Sequence, residues 1–114
     1  EYVSTFNYRY GVGSYRAKEY QIGVRAEPEM YDSESFAVVL FYTRSDGEYV
    51  EVAKIDDSEH EEGTVHFDRH YRADGANRKD FDVAVDSLFE AEDLIRDNWR
   101  RYARLYEENH ERRD

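Results

Sequence analysis

The chain has 114 residues and 13.7 kDa, with 39% hydrophobic residues, 16% aromatic residues and a formal net charge of −11. That length supports one domain with a single modest core. The absence of cysteine excludes disulfides, thiolate zinc sites and cysteine nucleophiles, and no apolar run approaches the roughly 20 residues of a membrane-crossing helix.

Residues 1–18, EYVSTFNYRYGVGSYRAK, are rich in Tyr, Gly and Ser and read as a separate N-terminal segment, either an edge strand turning at Gly11-Val12-Gly13 or an adhesive tail. The remainder, 19–114, reads as a single α+β domain. Residues 19–27 alternate, with Tyr20, Ile22, Val24 and Ala26 on one side and Glu19, Gln21, Arg25 and Glu27 on the other, as a half-buried strand does. Pro28 ends that strand, and the acidic stretch Glu29 to Glu34 reads as a loop. SFAVVLFYTR, 35–44, is continuously apolar and β-branched or aromatic, the pattern of a central strand.

Ser45-Asp46-Gly47 marks a hairpin. EYVEVAKI, 48–55, follows as a strand with Val50 and Val52 on one face and Tyr49 and Ile55 on the other. After the acidic loop DDSEHEEG comes TVHFDRHYR, 64–72, a strand closed by the turn ADGANRKD. Beyond Asp86 the apolar period changes from two to about 3.6, and Leu88, Ala91, Ile95, Trp99, Tyr102 and Tyr106 make one helical stripe. Ser87 and Glu90 have capping-box spacing, which predicts a helix over about 87–109. The expected architecture is an antiparallel meander of four or five strands with one long C-terminal helix packed on one face.

Three of the four histidines lie between Ile55 and Gly75. In the 64–72 strand, Val65, Phe67, Arg69 and Tyr71 share one face, while His66, Asp68, His70 and Arg72 share the other. The first set is mostly apolar and predicts the core side. One metal held by both His66 and His70 is disfavoured. Four strand residues span roughly 13 Å, whereas zinc–nitrogen bonds are about 2.0–2.1 Å. Only an i, i+2 pair, His66 with Asp68 or Asp68 with His70, could chelate, with help from Asp56, Asp57 or His60; no recognised ligand spacing is present, so the expectation is no metal and no cofactor.

Acid–base chemistry suits the pattern better. A histidine beside a carboxylate is the usual proton shuttle. His66, His70, Asp68 and Arg72 are the candidate catalytic residues, and Asp57, His60 and Arg69 the candidate substrate-binding ones. They would suit metal-independent RNA cleavage. The plainer reading is a solvated strand face whose cross-strand pairs contribute about 0.2–1 kcal/mol each. RDNWRRYARLY, 96–106, interleaves Arg with aromatics. Core packing plus arginines complementing the helix C-terminus explains it better than RNA contact.

The charge has a particular make-up. Lys18, Lys54 and Lys79 are the only lysines among 16 basic residues. Excess Asp and Glu with scarce Lys fits a high-salt cytoplasm, where molar salt shortens the Debye length to about 3 Å and removes self-repulsion. The expectation is a cytoplasmic protein adapted to high salt, whose acidity says little about its partners. The chain begins at Glu1 rather than Met, which fits a trimmed start.

VAKIDDSEHEEGTVHFDRHYRADG, residues 52–75, resembles the TumE-like toxin family and related haloarchaeal small proteins. Lys54-Ile55-Asp56-Asp57 stands where that family has a Tyr-Asp-Asn-like turn, with Ile55 in place of its Tyr and Asp57 in place of its Asn. His60 lies in the following loop, and His66 and His70 lie on the next strand. The likeness runs in element order over about residues 36–106. The resemblance implies a toxin-like protein with a helix-turn-helix antitoxin as partner and RNA as its target. The alternative function, from a different class, is a non-catalytic interaction module, a homodimer or partner binder using the N-terminal segment and a free sheet edge. A third is an acidic mimic of nucleic acid that occupies a basic groove.

Overall fold

The computed structural model describes residues 6–27, 35–56, 66–68, 71, 79–80, 85 and 87–111. It is an α+β fold in which one antiparallel sheet carries a C-terminal helix. The strands are β1 (Tyr8–Tyr15), β2 (Lys18–Glu27), β3 (Ser35–Thr43), β4 (Tyr49–Asp56), β5 (His66–Asp68) and β6 (Lys79–Asp80), followed by α1 (Leu88–Tyr106). They lie in the sheet in chain order, so the connectivity is a meander. β1 to β4 are long, β5 pairs with β4, and β6 pairs with the far side of β5. Lys79 and Asp80, read as the end of a turn, form β6, and the rest of ADGANRKD lies outside the described residues.

β3 is central because both its faces are apolar. Phe36, Val38, Leu40 and Tyr42 join the helix-side core, while Ala37, Val39 and Phe41, on the opposite face, are equally buried. On β2, Tyr20, Ile22, Val24 and Ala26 enter the same core, as their alternation predicts. α1 completes it with Leu88, Ala91, Ile95, Tyr102 and Ala103, and Trp99 and Tyr106 pack at its margin. The helix starts where Ser87 leaves helical geometry and its hydroxyl accepts from the Glu90 amide at 3.2 Å. That satisfies one of the amides every helix leaves unpaired at its start. Its last turn widens into a π-helical segment, Glu107–Glu111. From there Asn109 Nδ2 donates to the Tyr71 carbonyl at 2.9 Å.

Two bulges shift which residues share a face. In β1 the register shifts between Gly11 and Gly13, so the chain runs straight through the glycines and turns instead at Arg16-Ala17. Gly13 lies under Trp99, and a Cβ there would come within 2.7 Å of the indole, so packing claims this glycine. In β4 Leu40 pairs with Ala53 but Phe41 pairs with Glu51, leaving Val52 as the extra residue. That insertion puts Ile55 on the same side as Val50, in or against the helix-side core. Tyr49 packs with Phe41 on the other face, their rings 5.2 Å apart. The expected grouping of Ile55 with Tyr49 is thereby corrected. A strict period of two cannot hold across a bulge.

The face away from α1 has its own small aromatic group. Phe6 lies flat over Gly23 and stacks on Phe41 at 5.7 Å, and Arg9 Nη1 donates to the Tyr49 hydroxyl at 3.1 Å. No described helix is long and apolar enough to cross a membrane.

Candidate functional site

Of the strand read over 64–72, the described residues are 66–68 and 71. β5 covers His66–Asp68, and Tyr71 already lies in a turn. Phe67 is buried, its ring 5.9 Å from Tyr102, and Tyr71 stacks on Tyr102 at 4.8 Å. The core side of this stretch is therefore the Phe67 and Tyr71 side, as the alternation predicts. Asp57, His60, Arg69, His70 and Arg72 lie outside the described residues.

What the structure fixes is the backbone register around β5. His66 is paired with Asp56, Phe67 with Ile55, and Asp68 with Lys54. On its other side Asp68 is paired with Lys79. Directly opposed positions in an antiparallel pair have Cβ atoms about 4.5–5.5 Å apart. Ile55 enters the helix-side core, so Lys54 and Asp56 point to the far face. Asp56 is only 6% exposed, and Lys54 Nζ stands 3.6 Å from its Oδ2. A carboxylate so little hydrated is held beside a cation because an unpaired buried charge is costly.

The sequence pattern picked out His66 and Asp68 but not Lys54 or Asp56 for acid–base chemistry. Lys54 entered only through the resemblance of the Lys54 to Asp57 turn, and Asp56 through that turn and as a helper ligand in a disfavoured metal site. The signal that finds them is the β4–β5 register, which a single strand's alternation does not contain.

A second ionisable cluster, unmarked by any motif, joins β1 to α1. The Tyr8 hydroxyl donates to Glu92 Oε1 at 2.8 Å and the Tyr10 hydroxyl to Oε2 at 2.5 Å. Arg96 stands 3.7 Å from the same carboxylate, also donates to the Tyr10 hydroxyl at 3.5 Å, and pairs with Asp93. Burial raises the Tyr10 pKa above the usual phenol value, and the bond to Glu92 adds to that, while Arg96 opposes it. Both tyrosines are donors and the carboxylate accepts from each, so the group is a closed strap between strand and helix. A second strap joins Lys18 Nζ to the nearly buried Glu107 at 2.5 Å, with the ammonium also 5.2 Å from the centre of the Tyr42 ring. Glu92 is legible in retrospect as a carboxylate set among the apolar positions of the helical stripe.

Between the β1–β2 and β3–β4 turns lies an open depression of about 490 Å³, lined by residues including Lys18, Gln21, Arg44 and Asp46. It sits at the opposite end of β4 from Asp56 and mixes both signs of charge. Among the described residues no three His, Asp or Glu side chains gather as a metal-binding group.

The chain matches a domain of unknown function, DUF7718, over residues 8–112, and so belongs to that family. Neither a curated protein nor a solved structure matches it.

Proposed function

We propose that this member of the family is a toxin-like protein that cleaves RNA without a metal, using the β4–β5 face. The observation that carries the reading is the register: Asp56, nearly buried and paired with Lys54, stands across from His66, while Asp68 stands across from Lys54. A carboxylate across from a histidine fixes the imidazole's tautomer and supports its protonation. One histidine of the pair His66 and His70 takes the proton of a ribose 2′-hydroxyl, whose oxygen attacks the neighbouring phosphorus. The other protonates the departing 5′ oxygen, so the proton count balances. Arg72 and Arg69 hold the phosphoryl oxygens, and Asp57 and His60 contact the nucleotide. Asp56 acts on His66 as a positioning residue.

Within this reading the protein works in the cytoplasm of a halophilic archaeon, its acidity an adaptation to salt, and a helix-turn-helix antitoxin restrains it. Support for the TumE-like assignment is the 52–75 string and the shared element order. Expression of the wild-type chain should arrest growth, and His66→Ala or His70→Ala should relieve the arrest while the protein stays folded. A wild type that is never toxic, or two fully toxic variants, would leave the chain as a non-catalytic interaction module instead.

A further inference from the structure

β1 forms one edge of the sheet, and among the described residues no strand pairs with its outer side. Exposed edges are usually blunted by charge, proline or shortness. β1 is eight residues long, and the segment from Phe6 to Tyr15, FNYRYGVGSY, holds Arg9 as its single charged residue. In a chain with 27 acidic residues, this edge has no carboxylate at all. Its Ser14 carbonyl accepts from a side chain outside the sheet, Arg100 Nη1, at 3.3 Å, a bond that a pairing strand's amide would share or replace.

We propose that β1 pairs antiparallel with β1 of a second copy, about a two-fold axis normal to the sheet near Gly11-Val12, joining two sheets into one. The bulge is what makes this register self-complementary. In an unbroken strand Arg9 and Ser14 would point to opposite faces, and such an axis could not set one against the other. The extra residue between Gly11 and Gly13 shifts the alternation by one. Tyr8 and Tyr10 therefore turn toward α1, and so do Gly13, under Trp99, and Tyr15, against Arg100. Arg9 and Ser14 turn to the far face, toward Tyr49 and Glu19.

Folded about its midpoint, the strand sets Tyr8 opposite the partner's Tyr15, Tyr10 opposite the partner's Gly13, and Arg9 opposite the partner's Ser14. Each pair shares a face, and no like charges meet. Two copies, each carrying a net charge of −11, repel one another in dilute salt. Molar salt cuts the Debye length to about 3 Å, so this association tightens as salt rises, the reverse of a charge-steered complex. The pairing is independent of whether the chain acts on RNA.

Because the chain has no cysteine, the double variant Arg9→Cys/Ser14→Cys reports the register directly. Within one copy the two positions are roughly 16 Å apart along the strand, too far for a disulfide. Across the two-fold their Cβ atoms lie about 4.5–5.5 Å apart, near enough to close one with small adjustment. With a thiol oxidant at about 1 M KCl, where screening is nearly complete, the double variant should become a covalent dimer. Either cysteine alone should give none. The wild-type chain should sediment as a dimer at about 1 M KCl and shift toward monomer at about 0.1 M. A folded double variant without crosslinks, single variants that crosslink equally well, or a wild type that is monomeric at both salts overturns the proposal. So does a dimer that weakens as salt rises.

Discussion

Two carboxylates, Glu92 and Asp56, show how surroundings divide structural from chemical roles. Glu92 accepts from both Tyr8 and Tyr10 and has Arg96 alongside. Hydrogen bonds to a charged group are worth about 1.5–3 kcal/mol when well sheltered, but these side chains are partly exposed and Arg96 is largely so. Tyr10→Phe should therefore cost about 1 kcal/mol in urea unfolding, with the fold kept. Because the folded-state pKa of Tyr10 is raised, its contribution is complete below the unfolded phenol value of about 10 and is lost as pH rises through the higher folded value. Stability should decline on the alkaline side of pH 10 less steeply in Tyr10→Phe than in the wild type. Asp56 has the Lys54 ammonium 3.6 Å away and a histidine position across the ladder. Asp56→Asn should lower any RNA-cleaving rate and shift its pH profile, a change that loss of a purely structural ion pair would not produce.

At the scale of elements, the β1–β2 turn places Arg16 at φ 54° and Ala17 at φ 67°. Two-residue hairpin turns of this hand need positive φ at both positions, which Asn-Gly supplies more readily. Ala17→Gly should stabilise the protein by about 1 kcal/mol, read as a higher denaturation midpoint at unchanged slope. Gly23 is the opposite case: a Cβ there would come within 2.3 Å of the Phe6 ring. Gly23→Ala should displace Phe6 from Phe41 and cost about 1–3 kcal/mol, the usual range for overpacking. These elements also show what the sequence made legible. The alternation of β2, the two-sided apolar run of β3 and the Ser87-capped stripe of α1 are each local, and each matches its strand or helix. The bulges in β1 and β4 depend on what packs above them, Trp99 over Gly13 for one, and no period within a strand encodes that. For the same reason the sequence alone grouped Ile55 with Tyr49 rather than with Val50.

The whole molecule is a meander with a helix on one face and a polar ladder at the β4–β5 end. Its candidate site was half legible. The alternation around Phe67 separates core from far side, but Lys54 and Asp56 join His66 and Asp68 only through pairing between strands. The central claim is that this ladder cleaves RNA by histidine acid–base chemistry. The direct measurement incubates the purified chain with RNA in a chelator and follows strand scission. Wild-type protein should cut and leave 2′,3′-cyclic phosphate ends. His66→Ala and His70→Ala should each slow the cut about 10²–10⁴-fold, the usual contribution of a general acid or base. A folded wild type that leaves RNA intact, or histidine variants that cut at the wild-type rate, would contradict the account.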